Sequence, residues 1–131
     1  MDLISRKITN AINIGEIVNK RIANYQYFNE KLSFLSEIKV PSFMIEEEQT
    51  TPWVFFFYYD NAEKLINFLR SHSIPASDFP TLPPKVFNNS EYEIENALYR
   101  KSVTLPVHQD LTVIDMDHII NKIKEFIYNE C

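Results

Sequence analysis

The chain holds a single glycine, Gly15, among 131 residues. Glycine takes positive φ without steric penalty and lets a backbone approach a ligand closely. Phosphate-cradling loops and dinucleotide-binding turns need several glycines at fixed spacing. A P-loop and a Rossmann fingerprint are therefore excluded, and any contact with a nucleotide or phosphate takes another route. A second constraint is the run from Ile74 to Pro84. Four prolines in those eleven residues (Pro75, Pro80, Pro83, Pro84) forbid regular helix and fix an extended path.

The length suits one compact domain, 1–131, large enough to bury a core without disulfides. Hydrophobic residues make up 45% and charged residues 24%, as in ordinary globular proteins. The formal net charge of −5 leaves no basic footprint, so nucleic acid is not an expected partner. The one cysteine, Cys131, has no internal partner, which fits a reducing cytoplasm. Met1 to Asn10 lacks the long apolar run of a signal peptide. The longest apolar run, Trp53 to Tyr59, is too short to span a bilayer as a helix, so no membrane partner is expected.

Val18, Ile22, Tyr25, Phe28, Leu32 and Leu35 recur at steps of three and four and predict one apolar helix stripe. With Leu3 to Ile12 read as a further short helix, a helical segment covers about 3–36, and an α+β body covers about 40–130. Ser42 to Ile45 reads as a short strand and Glu46 to Thr50 as an exposed turn. Trp53 to Tyr59 reads as a central strand covered on both faces. Asp60 with Glu63 has capping-box spacing before a helix that buries Leu65, Ile66, Phe68 and Leu69 and ends before Pro75. Glu91 to Tyr99 reads as a short helix capped by Ser90, and Val103 to Leu105 as a strand. Thr112 and Asp115 form a second capping box ahead of Met116, Ile119, Ile120, Ile123, Phe126 and Ile127. The expected fold is α+β: a small, mostly antiparallel sheet of three to four strands covered by amphipathic helices.

Three stretches, in this order, carry a family resemblance. Arg21-Ile22-Ala23-Asn24-Tyr25 lies on the first helix; an aromatic strand and a helix then lead to Ser73-Ile74-Pro75; Leu105-Pro106-Val107-His108-Gln109-Asp110-Leu111-Thr112 precedes the last helix. The chain resembles, over roughly Ser5 to Tyr128, the C-terminal small domain of the DegT/DnrJ/EryC1/StrS sugar aminotransferases, which are fold type I pyridoxal-phosphate (PLP) enzymes. Ser73 stands where that family has glycine. The resemblance implies nucleotide-linked keto sugars as substrates, a role in polysaccharide or antibiotic sugar synthesis, and PLP held by a separate large domain. It also implies that the proline-rich stretch faces the sugar. Ser77, Asp78 and Phe79 are thus the candidate substrate-binding residues, with His108 at a strand end. Arg21, Asn24 and Tyr25 are expected to be architectural.

The residues themselves argue against a complete enzyme. PLP chemistry needs an activated lysine. The nine lysines, Lys7, Lys20, Lys31, Lys39, Lys64, Lys85, Lys101, Lys122 and Lys124, mostly sit on polar helix faces or beside prolines. No catalytic, cofactor-binding or metal-binding residue is assigned: His72, His108 and His118 have no metal-ligand spacing. The function expected is one wall of a sugar-substrate site, inactive alone, packed on a PLP-binding large domain or its separate polypeptide. The aromatics of Trp53 to Tyr59 and the first helix are the expected docking surface. The alternative is a stand-alone binding or interaction module derived from that domain. A homodimer is a further expected partnership.

Overall fold

The computed structural model describes residues 13–41, 50–78 and 93–130. Six elements follow in order: α1 (Ile14–Leu32), β1 (Val54–Tyr58), α2 (Ala62–Ser71), α3 (Glu93–Arg100), β2 (Ser102–Pro106) and α4 (Val113–Glu130). The readings on Leu3 to Ile12, Ser42 to Ile45, Glu46 to Gln49, Phe79 and Ser90 lie outside the described residues.

Helix α1 starts earlier than its stripe. The Asn13 side chain accepts the Glu16 backbone N–H at 3.2 Å and caps it. Gly15 is thus inside the first turn and meets nothing nearer than 3.6 Å where a side chain would begin. The chain's only glycine performs no conformational task there. Tyr25, Phe28 and Leu32 from the predicted stripe are buried.

β1 and β2 pair antiparallel, with Val54 opposite Pro106 and Tyr58 opposite Ser102. Alternation sends Phe55 and Phe57 to one face. There they pack with Tyr25 and Phe28 of α1, ring centroids 5.1 to 6.0 Å apart. Phe56 and Tyr58 share the opposite face at 4.9 Å. Leu65 and Leu69 of α2, Val103 and Leu105 of β2, and Ile123 and Ile127 of α4 complete the core. Each such side chain contributes about 1.5–3 kcal/mol on burial.

The sheet is smaller than expected: among the described residues two strands form a ladder, and each outer side gains one bridge, Lys39 to Tyr58 and Ser77 to Thr104. Continuing these registers two residues would set Pro41 opposite Phe56 and Pro75 opposite Pro106. Proline has no N–H to give a ladder. Trp53 is also not part of the strand; it is 71% exposed. The docking expectation for the aromatic run therefore needs correction, because Phe55, Phe56, Phe57 and Tyr59 are buried within this chain.

The two capping boxes fare differently. At α4 the bonds are reciprocal: Thr112 N–H donates to Asp115 Oδ2 at 2.9 Å, and Asp115 N–H donates to Thr112 Oγ1 at 3.2 Å. The Thr112 hydroxyl also donates to Asp115, and these bonds hold the Asp115 carboxyl below its ordinary pKa. At α2 the N-cap is Asn61, not Asp60, and no side chain caps the helix. Asp60 instead pairs with Lys101 at 2.8 Å.

Helix α2 ends in a Schellman turn. Ser73 N–H bonds to the Arg70 carbonyl and Ile74 N–H to the Leu69 carbonyl, both at 3.0 Å. The turn requires positive φ, and Ser73 adopts 61°. A left-handed L-residue costs about 1–2 kcal/mol, and the flexible unfolded glycine chain offsets part of any gain from replacing it. Ser73→Gly is therefore expected to stabilise the fold by about 1 kcal/mol, read as a raised thermal midpoint. A lowered midpoint contradicts the assignment of strain to this residue.

Candidate functional site

The expected site residues fall into two groups at opposite ends of β2. A five-residue strand holds its ends about 13 Å apart. One group lies beside a cleft of about 540 Å³ near the start of β2, where Asn61, Lys64, Arg70, Asp78, Tyr99 and Arg100 are among the lining residues. Its volume is in the range of small-ligand sites.

Ser77 is positioned by β2. Its backbone exchanges bonds of 3.2 and 2.7 Å with Thr104, and its hydroxyl meets Thr104 Oγ1 at 2.8 Å. Asp78, one residue on, reaches the cleft and accepts the Tyr99 hydroxyl at 3.3 Å. Phe79 lies outside the described residues. Arg70 ties the same segment to α2 through its Nε, which donates to the Ala76 carbonyl at 2.8 Å. Two of the charged lining residues are in ion pairs. Lys64 pairs with Glu130 at 3.3 Å, and Asp60 with Lys101. Burial raises the pKa of Glu130, but bonds from Tyr59, Asn61 and Lys64 outweigh it and hold the carboxyl below its usual value.

The second group surrounds His108, beyond the far end of β2. Asn24 is 7% exposed, and its Nδ2 donates to the His108 carbonyl at 2.8 Å. Arg21 Nε donates to Gln109 Oε1 at 3.1 Å. Two of the recognisable stretches of sequence, separated by more than eighty residues, thus meet at one corner. The His108 imidazole is exposed and has neighbours on both nitrogens. Asp110 Oδ2 lies 3.3 Å from Nδ1, and Gln109 Nε2 lies 3.2 Å from Nε2. Tyr25 packs beneath on Phe55; its hydroxyl is buried without a hydrogen-bond partner among the described residues, and burial raises its pKa.

Sequence reasoning did not assign Gln109, Asp110, Arg70, Tyr99 or Arg100 to a site. Gln109 and Asp110 stood inside a recognised stretch, and their place one and two residues after His108 was the available signal. The cleft residues gave none, because they converge only after α2 and α3 are placed.

None of the described lysines offers the activated amine PLP requires. Lys20, Lys64, Lys101 and Lys122 are in surface ion pairs with Glu16, Glu130, Asp60 and Glu125. Lys31 lies over the Tyr27 ring, Lys39 is exposed, and Lys124 is half-buried on α4. The described lysines therefore do not fit the cofactor. Among them no three His, Cys, Asp or Glu side chains cluster as a metal site. No described helix is long and apolar enough to cross a membrane.

No protein-family model and no curated protein matches the sequence. Solved structures do. A DegT/DnrJ/EryC1/StrS aminotransferase from Brucella abortus matches with TM-score 0.66 and 21% identity, over 85% of this chain and 31% of that one. A sugar aminotransferase from Micromonospora echinospora matches with TM-score 0.71 and 13% identity, over 86% and 31%. An aminotransferase of pseudoaminic acid biosynthesis from Helicobacter pylori matches with TM-score 0.69 and 13% identity, over 86% and 33%. The chain thus has the fold of one part of these aminotransferases, an α+β small domain, and spans about a third of their length.

Proposed function

We propose that these residues form the small domain of a PLP-dependent nucleotide-sugar aminotransferase, one wall of its sugar site, packed on a PLP-binding large domain. The observation that carries this reading is the fold match: 85–86% of the chain superposes on about a third of each of these enzymes. The recognisable sequence stretches, which meet at the Asn24–His108 corner, point the same way.

In this reading the chain supplies shape and hydrogen bonds rather than a reacting group. Asp78 sits at the cleft with a carboxylate able to accept sugar hydroxyls, and the prolines around it limit the entropy lost on binding. Ser77 fixes its backbone against β2, and Phe79 follows. His108 forms a second part of the wall beyond the other strand end.

The 131-residue chain alone is expected to form no stoichiometric, borohydride-trappable adduct with added PLP. Co-expression with a candidate large domain is expected to restore transamination of a nucleotide-linked keto sugar, with Asp78→Ala raising KM. A trapped lysine adduct on the isolated chain overturns the inactive-alone reading. Binding of a nucleotide sugar by the isolated monomer, with no gain from any large domain, favours a stand-alone binding module instead.

A further inference from the structure

The contacts between Ser77 and Thr104 fix where both hydroxyl hydrogens point. Thr104 Oγ1 lies 2.9 Å from the Ser77 carbonyl oxygen. A carbonyl oxygen can only accept, so the Thr104 hydroxyl donates its one hydrogen there. The same carbonyl accepts the Thr104 backbone N–H at 2.7 Å, which fills both of its lone pairs. The two hydroxyl oxygens stand 2.8 Å apart, the usual separation in an O–H···O bond. Such a contact needs one hydrogen, and Thr104 has none left to give. The hydrogen between the oxygens is therefore that of Ser77. Thr104 is 3% exposed and lies within β2, so it is a fixed partner. Ser77 is half-buried and keeps part of its surface open. What its hydroxyl oxygen presents there is lone pairs alone. The carboxylate of Asp78, the next residue, has no hydrogen either, and the Tyr99 hydroxyl beside it turns its own toward Asp78.

We propose that Thr104 holds the Ser77 hydroxyl as a hydrogen-bond acceptor, so that Ser77 favours a ligand group that brings a hydrogen, the hydroxyl or ammonium of a sugar, over a keto or phosphate oxygen that offers only lone pairs. The ligand half of this statement rests on Ser77 belonging to the sugar-site wall proposed above; the hydroxyl orientation stands on the geometry alone. Thr104 is a positioning residue, nearly buried and acting through Ser77. An unrestrained serine hydroxyl is indifferent, because it turns to donate or accept as the ligand requires. Ser77 can donate outward only by breaking its bond to Thr104. That leaves an acceptor inside the fold without its partner, which carries a penalty. A position that bonds with one polarity discriminates against ligand groups of the wrong polarity more strongly than an apolar surface does.

The orientation is tested by hydroxyl-proton NMR on the full chain at low temperature. The Ser77 and Thr104 hydroxyl protons are both expected as resolved signals slowed in exchange with water. Thr104→Val keeps the branched strand side chain but removes the acceptor, and the Ser77 hydroxyl signal is then expected to be lost to exchange. Thr104→Ser is expected to restore it. A wild-type chain in which only the Thr104 hydroxyl is slowed, or a Ser77 signal that survives in Thr104→Val, overturns the orientation; the wild-type spectrum decides it even should Thr104→Val fail to fold. The ligand half is read at the Ser77 and Asp78 backbone amides, with methyl glucoside, glucosamine and inorganic phosphate as separate probes. Glucosamine is expected to shift both amides, with Ser77→Ala weakening its binding several-fold, and phosphate is expected to leave them in place. An equal response to methyl glucoside assigns the recognised group as a hydroxyl, and a response to glucosamine alone assigns it as the ammonium. A phosphate-dependent shift at Ser77, no response to either sugar, or a sugar response unchanged in Ser77→Ala overturns the ligand half. None of these readouts needs PLP or a large domain, so their failure is separable from that of the proposed function, which the co-expression assay decides.

Discussion

Phe55→Ala is expected to cost about 3–5 kcal/mol of stability, the range for truncating a buried aromatic. Phe55 is fully buried at the centre of the sheet and touches the rings of Tyr25, Phe28 and Phe57. Those neighbours come from α1 and from β1 itself, so the hole left by the ring has walls on two separate elements. Strand pairing to β2 holds residue 55 opposite Leu105 and limits how far the backbone can sink into the gap. A domain of this size has roughly 5–15 kcal/mol in total, so the variant sits near the edge of folding. Urea unfolding followed by tryptophan fluorescence and far-UV circular dichroism measures the loss. Phe34→Ala is the control: Phe34 is 87% exposed, and its removal is expected to stay within about 0.5 kcal/mol. A Phe55→Ala loss no larger than the control's contradicts the placement of this ring in the core.

The core was legible because burial follows periodicity. Tyr25, Phe28 and Leu32 repeat at helical steps, as do Met116, Ile119, Ile120, Ile123 and Ile127, and all of these are buried. The Thr112–Asp115 box was legible for a similar reason, since both partners lie within one turn. The same pattern at Asp60 and Glu63 misled. Lys101 reaches Asp60 from just before β2, a neighbour that no local spacing reveals. Trp53 misled in the other direction: hydrophobicity placed it in the strand, while the pairing with β2 begins one residue later, at Val54 opposite Pro106. The candidate site was legible only as separate stretches. That Arg21 would meet Gln109, and Asn24 the His108 carbonyl, depends on how α1 lies against the end of β2. The glycine count shows the same division. It bears on glycine-rich phosphate loops as a sequence argument only, and among the described residues the one that takes positive φ is Ser73.

Asn24→Asp is expected to destabilise the chain by about 3 kcal/mol at neutral pH, with an effect that shrinks in acid. The replacement keeps the shape of Asn24 but removes its only donor. Two carboxylate oxygens then face the His108 carbonyl across the 2.8 Å that Nδ2 now spans. The carbonyl keeps its other partner, the Leu111 N–H at 3.1 Å, so the penalty comes chiefly from the new anion. The position is 7% exposed, and an uncompensated buried charge costs about 3–5 kcal/mol. Arg21, one turn earlier, lowers that figure toward its bottom end without cancelling it, because its Nε is engaged by Gln109. Burial and the facing carbonyl raise the folded-state pKa of the new carboxyl above its unfolded value of about 3.9. The protonated acid has a hydrogen to donate to the carbonyl, so the deficit relative to wild type is smallest below the unfolded pKa. It grows as pH rises through the folded pKa and is complete above it. Thermal midpoints of the two proteins at neutral pH and near pH 4 should therefore converge on acidification. Equal gaps at both values exclude a buried carboxylate at this corner, and with it the bond that joins Asn24 to His108.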